Sequence, residues 1–363
     1  MKDVIEQLDE WRAAGRPAAV ATVVAVKRSA PRPPGAKMAI TVDGGVSGMV
    51  SGGCVEGAVI QVAEEVLAGG PPQLLEFGVA DEEAWAVGLP CGGEITVWVD
   101  RPEGEETDAF QQLTREGGRG ALVTRLDDGR RMLVGEDGTR RGSLGAPAAE
   151  DAAAALAATL MWAERSQRLD AGGIPLFVDV TAPPPRLIII GAIDLAAALA
   201  QLASIGGWRS FVADPRGFFA TPQRFPHAER VVAAWPAKAI EELGGIDAAT
   251  SIVVLTHDPK IDDAALEVAL RSDAAYIGVM GSHKMQADRR ARMVELGFGD
   301  ADLARLSGPV GLDLGALTAY ETALSVMAEL VAVRRGREGG RLRDSTAARI
   351  HEVLPPAPAS AER

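Results

Sequence analysis

The sequence has few of the residues and segments that mark several common classes of protein. Its 363 residues include two cysteines and four histidines, and no histidine stands at zinc-site spacing from a cysteine pair, so no structural zinc is expected. No apolar run approaches the roughly 20 residues that span a bilayer. The charged, amphipathic segment at residues 1–15 lacks the features of a signal peptide. We therefore expect a cytoplasmic protein without a membrane span, in which the thiols are free.

Positive charge is also scarce. The 37 Lys and Arg residues are outnumbered by 50 Asp and Glu residues, which gives a formal net charge of −13. Because binding to a phosphate backbone depends on clustered Lys and Arg, no nucleic-acid partner is expected. The apolar fraction of 47% and the charged fraction of 24% are ordinary for a globular chain. The length suggests two or three domains, or one domain with additions.

Apolar periodicity divides the chain into two parts. Residues 1–182 mix helices with strands that follow one another through glycine turns, which predicts an α+β domain. A proline-rich boundary leads into residues 183–340, where wholly apolar strands alternate with helices. That alternation is typical of a doubly wound parallel sheet, so the overall class is α/β with a Rossmann-like C-terminal domain. Residues 341–363 are predicted to form a flexible tail.

Each of the two cysteines has two glycines beside it, in the segments Gly52-Gly53-Cys54 and Cys91-Gly92-Gly93. Glycines let a backbone pass close to a ligand. A helix is predicted to begin after Cys54, and the unpaired N–H groups at a helix start favour a thiolate or a bound anion. A thiolate could carry sulfur or contact a soft metal centre. The alternative is that each cysteine is a small buried apolar residue.

Residues 28–38, RSAPRPPGAKM, combine three prolines with cations. The prolines restrict the shape of the loop, so Arg28, Arg32 and Lys37 would present positive charge from a rigid scaffold. In an acidic protein this pattern indicates a phosphate or carboxylate site. An ordinary solvated linker is the alternative.

The second domain contains part of a dinucleotide-binding pattern. Gly191 follows its first strand and Asp214 ends the next, where dinucleotide folds place a glycine turn and an acid that binds ribose. Ile193 replaces the second glycine of that pattern, and Asp194 adds negative charge at the helix start. Both residues argue against NAD(P) in the usual pose. A nucleotide site and a Rossmann scaffold with another purpose are therefore both open.

Two further strand ends carry polar or glycine residues. His257 and Asp258 follow one predicted strand, and Gly281 and Ser282 follow its neighbour. Ligands bind at the edge where parallel strands end, so these residues indicate a site. For the His-Asp pair the alternative is a capped turn.

These motifs together resemble those of the XdhC/CoxI family of molybdenum-enzyme accessory proteins. The resemblance covers both ends of the chain and thins in the middle. The matching segments include SAPR (29–32), GAKM (35–38), GMVSGGCVE (48–56), GLPCGG (88–93), DPR (214–216), THDPK (256–260) and GLDLG (311–315).

The resemblance implies an accessory chaperone rather than an enzyme. Such proteins bind the finished molybdopterin-type molybdenum cofactor and shelter it while a cysteine desulfurase replaces an oxo ligand by sulfur. They then insert it into an apo-enzyme of the xanthine dehydrogenase or carbon monoxide dehydrogenase class. By this resemblance Arg32 and Lys37 would hold the pterin phosphate, and Glu56 would accept a pterin N–H bond. Cys54 and Cys91 would contact the metal or relay sulfur.

The cofactor is expected in the cleft between the two domains, since ligands gather in such clefts and at the ends of parallel strands. Many relatives carry a histidine where this chain has Asp194, so any task of that histidine is altered here. A homodimer is expected from base rates. The rival hypotheses are an NAD(P)-dependent oxidoreductase and an adaptor between desulfurase and client. The full candidate cofactor-binding set is Arg32, Lys37, Gly52, Gly53, Glu56, Gly92, Gly93, Gly191, Asp214, His257, Asp258, Gly281 and Ser282.

Overall fold

The computed structural model describes residues 1–27, 31–78 and 93–344. These residues fall into two compact units, Met1–Pro183 and Pro184–Asp344. Cys91, Gly92 and most of the predicted tail lie outside the described residues. Within the described ranges, no helix combines the length and the apolar character that crossing a bilayer requires.

The first unit begins with a five-stranded antiparallel sheet in the order β3-β2-β1-β5-β4. Strand β1 is central because its alanines and valines are buried on both faces of the sheet. Helix α2 packs on one face through Val59, Ala63 and Val66. The elements are α1 (Ile5–Ala13), β1 (Ala18–Lys27), β2 (Lys37–Thr41), β3 (Val46–Gly48), α2 (Glu56–Leu67), β4 (Gln73–Phe77) and β5 (Glu94–Asp100).

A second antiparallel sheet completes the unit, in the order β8-β7-β6-β10-β9. Its covering helix, α4, is rich in alanine and has Pro147 in its first turn, where the missing N–H costs no hydrogen bond. The elements are α3 (Glu105–Arg115), β6 (Gly120–Arg125), β7 (Arg131–Gly135), β8 (Arg140–Gly142), α4 (Pro147–Ala163), β9 (Gln167–Ala171) and β10 (Ile174–Thr181).

The second unit is a parallel six-stranded sheet in the order β13-β12-β11-β14-β15-β16, which confirms the predicted α/β class. The strands are β11 (Arg186–Ile190), β12 (Arg209–Ala213), β13 (Arg230–Val232), β14 (Thr250–Val254), β15 (Tyr276–Val279) and β16 (Leu306–Ser307). The helices are α5 (Asp194–Ile205), α6 (Pro236–Glu242), α7 (Pro259–Leu270), α8 (His283–Glu295), α9 (Asp300–Leu303) and α10 (Ala319–Arg334).

Strand β11 shows why the central strands of this sheet are mainly apolar. Leu187 and Ile189 join the core beneath α5 and α10, whereas Ile188 and Ile190 join the core beneath α6 and α7. Helices therefore cover both faces of the sheet. The polar residues of the unit that could meet a ligand are left to the loops at the strand ends.

Candidate functional site

Cys54 lies in the turn between β3 and α2. Within the described ranges it is a free, half-buried thiol that packs against the apolar core of the first sheet. Gly52 and Gly53 precede it with φ angles of +106° and +108°, which side chains other than glycine rarely tolerate. The Ser51 hydroxyl accepts a hydrogen bond from the Cys54 backbone N–H at 3.0 Å. The glycines therefore fold the backbone sharply at the point where the thiol is presented.

The carboxylate of Glu56 organises this turn. One oxygen, Oε1, accepts backbone N–H bonds from Val50, Ser51 and Gly52 at 3.2, 2.8 and 3.1 Å. The other, Oε2, accepts from the Gly53 N–H at 2.9 Å, from the Val55 N–H at 3.2 Å and from the Ser51 hydroxyl. The N–H groups expected to hold an external anion are therefore already bonded to a carboxylate of the chain.

The charge state of Glu56 follows from these contacts. Partial burial raises the pKa of the carboxyl, but the hydrogen bonds from the Ser51 hydroxyl and from backbone N–H groups outweigh it and lower the pKa to about 2. Glu56 is thus ionised throughout the physiological range. Because both of its oxygens are engaged by the turn, this geometry favours a structural role over the bond to a pterin N–H.

The proline loop lies beside the cysteine turn. A Cβ added at Gly52 would be 3.7 Å from the ring of Pro31, so the two loops are neighbours. The next residue, Arg32, is 37% exposed and its guanidinium lies 2.5 Å from the carboxylate of Asp3. Arg32 is therefore a partly accessible cation near the cysteine turn, whereas Arg28 lies outside the described residues.

Lys37 is not the surface cation that the sequence suggested. Its side chain is 3% exposed, and its Nζ lies 2.7 Å from Asp179 Oδ2 and 3.1 Å from Thr22 Oγ1. Lys37 begins β2 and Asp179 lies on β10, so the pair joins the two sheets of the first unit. Burial raises the pKa of Asp179, but the Lys37 ammonium, the N-terminal ammonium of Met1 and the Ser166 hydroxyl together outweigh burial and hold that pKa below its ordinary value. This internal ion pair leaves Lys37 unsuited to hold a phosphate.

Asp214 directly follows β12, at the strand end where the sequence placed it, but its carboxylate is enclosed. Its Oδ2 accepts the Ala192 N–H at 2.8 Å, and the Arg216 guanidinium lies 2.7 Å away. Its side chain is 0% exposed. Gly191 has a φ of +119°, and a Cβ there would come within 2.7 Å of the Thr256 methyl group. Close packing of β11 against the end of β14 therefore accounts for the glycine.

NAD(H) and NADP(H) are therefore expected to leave the thermal unfolding midpoint unchanged. The Ala192 N–H already bonds Asp214, and the exposed carboxylate of Asp194 stands at the start of α5. A ligand at a hundredfold its Kd would add about 2.7 kcal/mol of stability. Thermal unfolding at increasing nucleotide concentration measures this. A midpoint that climbs with concentration would contradict the expectation and support the oxidoreductase hypothesis.

The other predicted strand ends do lie side by side, because β14 and β15 pair in parallel. Asp258 accepts the Lys260 N–H at 3.0 Å and caps α7. Ser282, after the half-buried Gly281, caps α8 by accepting the Met285 N–H. His257 is exposed beside these caps. The geometry of Asp258 fits the capped-turn alternative, and the ligand-binding roles of all four residues stay predictions.

Sequence reasoning missed a buried network beneath these loops. Arg289 on α8 is fully enclosed, and its guanidinium lies 2.9 Å from Asp262 on α7. The same guanidinium donates to the Met280 carbonyl at 3.2 Å, and Asp262 accepts the Thr256 hydroxyl. The network ties the end of β14 to the end of β15. The only signal in the sequence was Asp262, an acid on the otherwise apolar face of α7.

The second cysteine segment enters the described residues only at Gly93. Cys91 and Gly92 lie outside the described residues, and Gly93 is buried just before β5. Convergence of the two sulfur atoms stays a prediction. In the part of the chain that the structure describes, no group of three or more His, Cys, Asp and Glu residues could hold a metal ion.

The fold and the cysteine turn define a protein with a Rossmann-type domain and an N-terminal α+β unit. Residues 11–78 match the family model described as the XdhC and CoxI family, and residues 187–330 match the one described as the XdhC Rossmann domain. The two matches together cover more than half of the chain. The chain belongs to the XdhC and CoxI family, as the sequence motifs predicted.

Curated relatives extend the similarity along most of the chain. A protein of Bacillus subtilis described as a probable subunit of xanthine dehydrogenase is 29% identical, over 88% of this chain and 93% of its own. The molybdenum cofactor insertion chaperone PaoD of Escherichia coli is 27% identical, over 89% of this chain and 86% of its own. A crystal structure described as a xanthine dehydrogenase from Bacillus halodurans shares the fold, with a TM-score of 0.66 at 24% identity over 94% of this chain and 98% of that one.

Proposed function

We propose that this protein is a chaperone for the molybdenum cofactor. It binds the molybdopterin-type cofactor as cargo in the cytoplasm, assists its sulfuration by a cysteine desulfurase, and inserts it into an apo-enzyme of the xanthine dehydrogenase or carbon monoxide dehydrogenase class. The relative named as a molybdenum cofactor insertion chaperone, aligned over 89% of this chain, supports the proposal. The observation that carries it is the Cys54 turn, where a free thiol follows two glycines held by Glu56.

The residues at this turn suit such cargo. Apart from Gly53 and its two chain neighbours, no heavy atom of the described part of the chain lies within 4 Å of the position that a Cβ on Gly53 would take, so the turn has open space at the residue before Cys54. Cys54 offers a soft sulfur donor of the kind that a molybdenum centre accepts. Arg32, on the neighbouring loop, offers a partly exposed guanidinium to a phosphate.

In this proposal each residue has a separate task. Cys54 contacts the metal or relays sulfur, and Arg32 holds the phosphate. Glu56 fixes the turn rather than touching the cargo, and Lys37 supports the scaffold through Asp179. The role of Cys91 is carried over from the family resemblance.

The protein is expected to co-purify with molybdenum and pterin in equal amounts from cells that make molybdopterin. Because a thiolate donor would be lost, Cys54→Ala or Cys91→Ala is expected to raise the dissociation constant of the cofactor by at least about tenfold, or about 1.4 kcal/mol. Metal analysis and pterin fluorescence of the purified variants measure this. Cys54→Ser is the conservative control for packing.

A preparation that stays free of cofactor in such cells, and binds none in titration, would reject the carrier role. If both alanine variants load cofactor and activate the client as well as the natural protein does, the adaptor hypothesis is favoured instead, since an adaptor needs no contact between cysteine and cargo.

A further inference from the structure

Helix α10 exposes an apolar stripe along one side. Leu317, just before the helix, is 94% exposed, and Tyr320, Leu324 and Val331 are 63%, 52% and 44% exposed. Their spacing of three, four and seven residues places them on one side of the helix. The opposite side is buried in the core shared with α5.

This stripe is larger than the scattered exposed apolar residues that are normal on a protein surface. The half-buried Ala328 lies between Leu324 and Val331, and its small side chain allows close approach of another helix. Charges of opposite sign mark the two ends. Glu321 lies in the first turn, and the exposed Arg335 follows the last.

We propose that α10 pairs antiparallel with α10 of a second copy of this chain, about a two-fold axis next to Ala328. In that arrangement Leu324 packs against the partner's Val331, and Glu321 lies opposite the partner's Arg335. Residue 328 lies at the midpoint between residues 321 and 335. It also lies beside the midpoint between residues 324 and 331. One axis therefore satisfies both pairs, as an isologous interface requires.

Charge distinguishes a second copy from an unrelated partner. Glu321 in the first turn of α10 and Arg335 just after its last turn carry opposite charges, so the helix surface is complementary to a reversed copy of itself. The two helix dipoles also oppose each other in an antiparallel pair, which is favourable. The inference is independent of the proposed cofactor binding and is tested without cofactor.

The first test is the mass of the full chain in solution by light scattering and by sedimentation. The natural protein is expected at twice its chain mass of 37.8 kDa. Leu324→Glu is expected at 37.8 kDa, because two carboxylates would be buried at the seam. The control is Val42→Glu, which places the same charge at an apolar residue of the first unit that is 65% exposed, and it should remain dimeric. A monomeric natural protein or a dimeric Leu324→Glu variant would overturn the proposal.

The second test exchanges the charges of the proposed pair. It remains informative even if the Leu324→Glu variant of the first test fails to fold. Glu321→Lys and Arg335→Glu each place like charges together twice per dimer, so each alone is expected to dimerise about tenfold more weakly. An equal mixture of the two variants restores both opposite-charge contacts and is expected to form heterodimers. Far-UV circular dichroism checks that Glu321→Lys keeps α10 folded, since Glu321 also caps the helix. A mixture that dimerises no better than its components would reject the antiparallel pairing.

Discussion

Replacing Lys37 with methionine is expected to lower the free energy of unfolding of the first unit by about 3–5 kcal/mol. The substitution keeps the length of the side chain but removes the ammonium that lies 2.7 Å from the buried Asp179 carboxylate. A surface lysine would give almost no change. Urea denaturation followed by tryptophan fluorescence measures the loss, since Trp98 lies on β5 of the same unit.

The control removes both charges. The double variant Lys37→Met with Asp179→Leu is expected to recover most of the lost stability, because it leaves no unpaired carboxylate buried at this position.

The ion pair also predicts a pH dependence. The pKa of Asp179 is lowered in the folded state, so the pair stabilises the protein at pH values above the ordinary pKa of aspartate. That contribution to stability disappears as the pH falls through the lowered pKa. The difference between natural protein and variant should therefore shrink in acid. An equal difference at neutral and acidic pH would contradict the ion-pair explanation.

The fate of Lys37 shows what a local pattern can and cannot predict. The prolines before it did indicate an ordered loop, and that loop does lie against the cysteine turn at Gly52. The partner that buries Lys37, however, is Asp179, which is 142 residues further along the chain and on another sheet. The apolar pattern of a single strand gives no information about a partner on another sheet. The sequence therefore placed Lys37 at the surface.

The parallel sheet was predictable because its signal is local. The central strands β11 and β14 are apolar on both faces, and each is followed by a helix, so periodicity alone indicates the architecture. The strand-end residue Asp214 was also located correctly from sequence. Its partner Arg216 is only two residues away, and the family-like segment DPR could have suggested that the acid is neutralised within its own loop.

Glu56 lies between these cases. It begins α2, where an acid is favourable, whereas the family resemblance implied that it accepts a pterin N–H bond. The direction of its side chain was not predictable, since it depends on the positive φ angles of Gly52 and Gly53 that turn several N–H groups toward one point. In that geometry the Glu56 carboxylate binds backbone N–H groups of its own turn and not the pterin N–H that was expected.

Glu56→Ala is expected to increase the alkylation rate of Cys54 by at least about tenfold, which corresponds to about 1.4 kcal/mol. Hydrogen bonds to a charged group contribute about 1.5–3 kcal/mol each, and this carboxylate accepts several from one turn. Without it the turn opens and the half-buried thiol is exposed. Because the pKa of Glu56 is about 2, the effect is expected at any pH above the normal range of a carboxyl. Mass spectrometry of iodoacetamide-treated protein in a Cys91→Ser background follows Cys54 alone.

Two further variants separate the turn from general effects of charge. Glu64→Ala removes a carboxylate from the exposed side of α2 and is expected to leave the rate unchanged. Glu56→Gln keeps one acceptor oxygen, so its rate should lie between those of the natural protein and Glu56→Ala. Cofactor loading should fall in the same order, because a turn that no longer holds its thiol in place binds cargo less tightly. Equal alkylation rates in the natural protein and Glu56→Ala would mean that the glycines alone hold the turn, and Glu56 would then be available to contact the pterin.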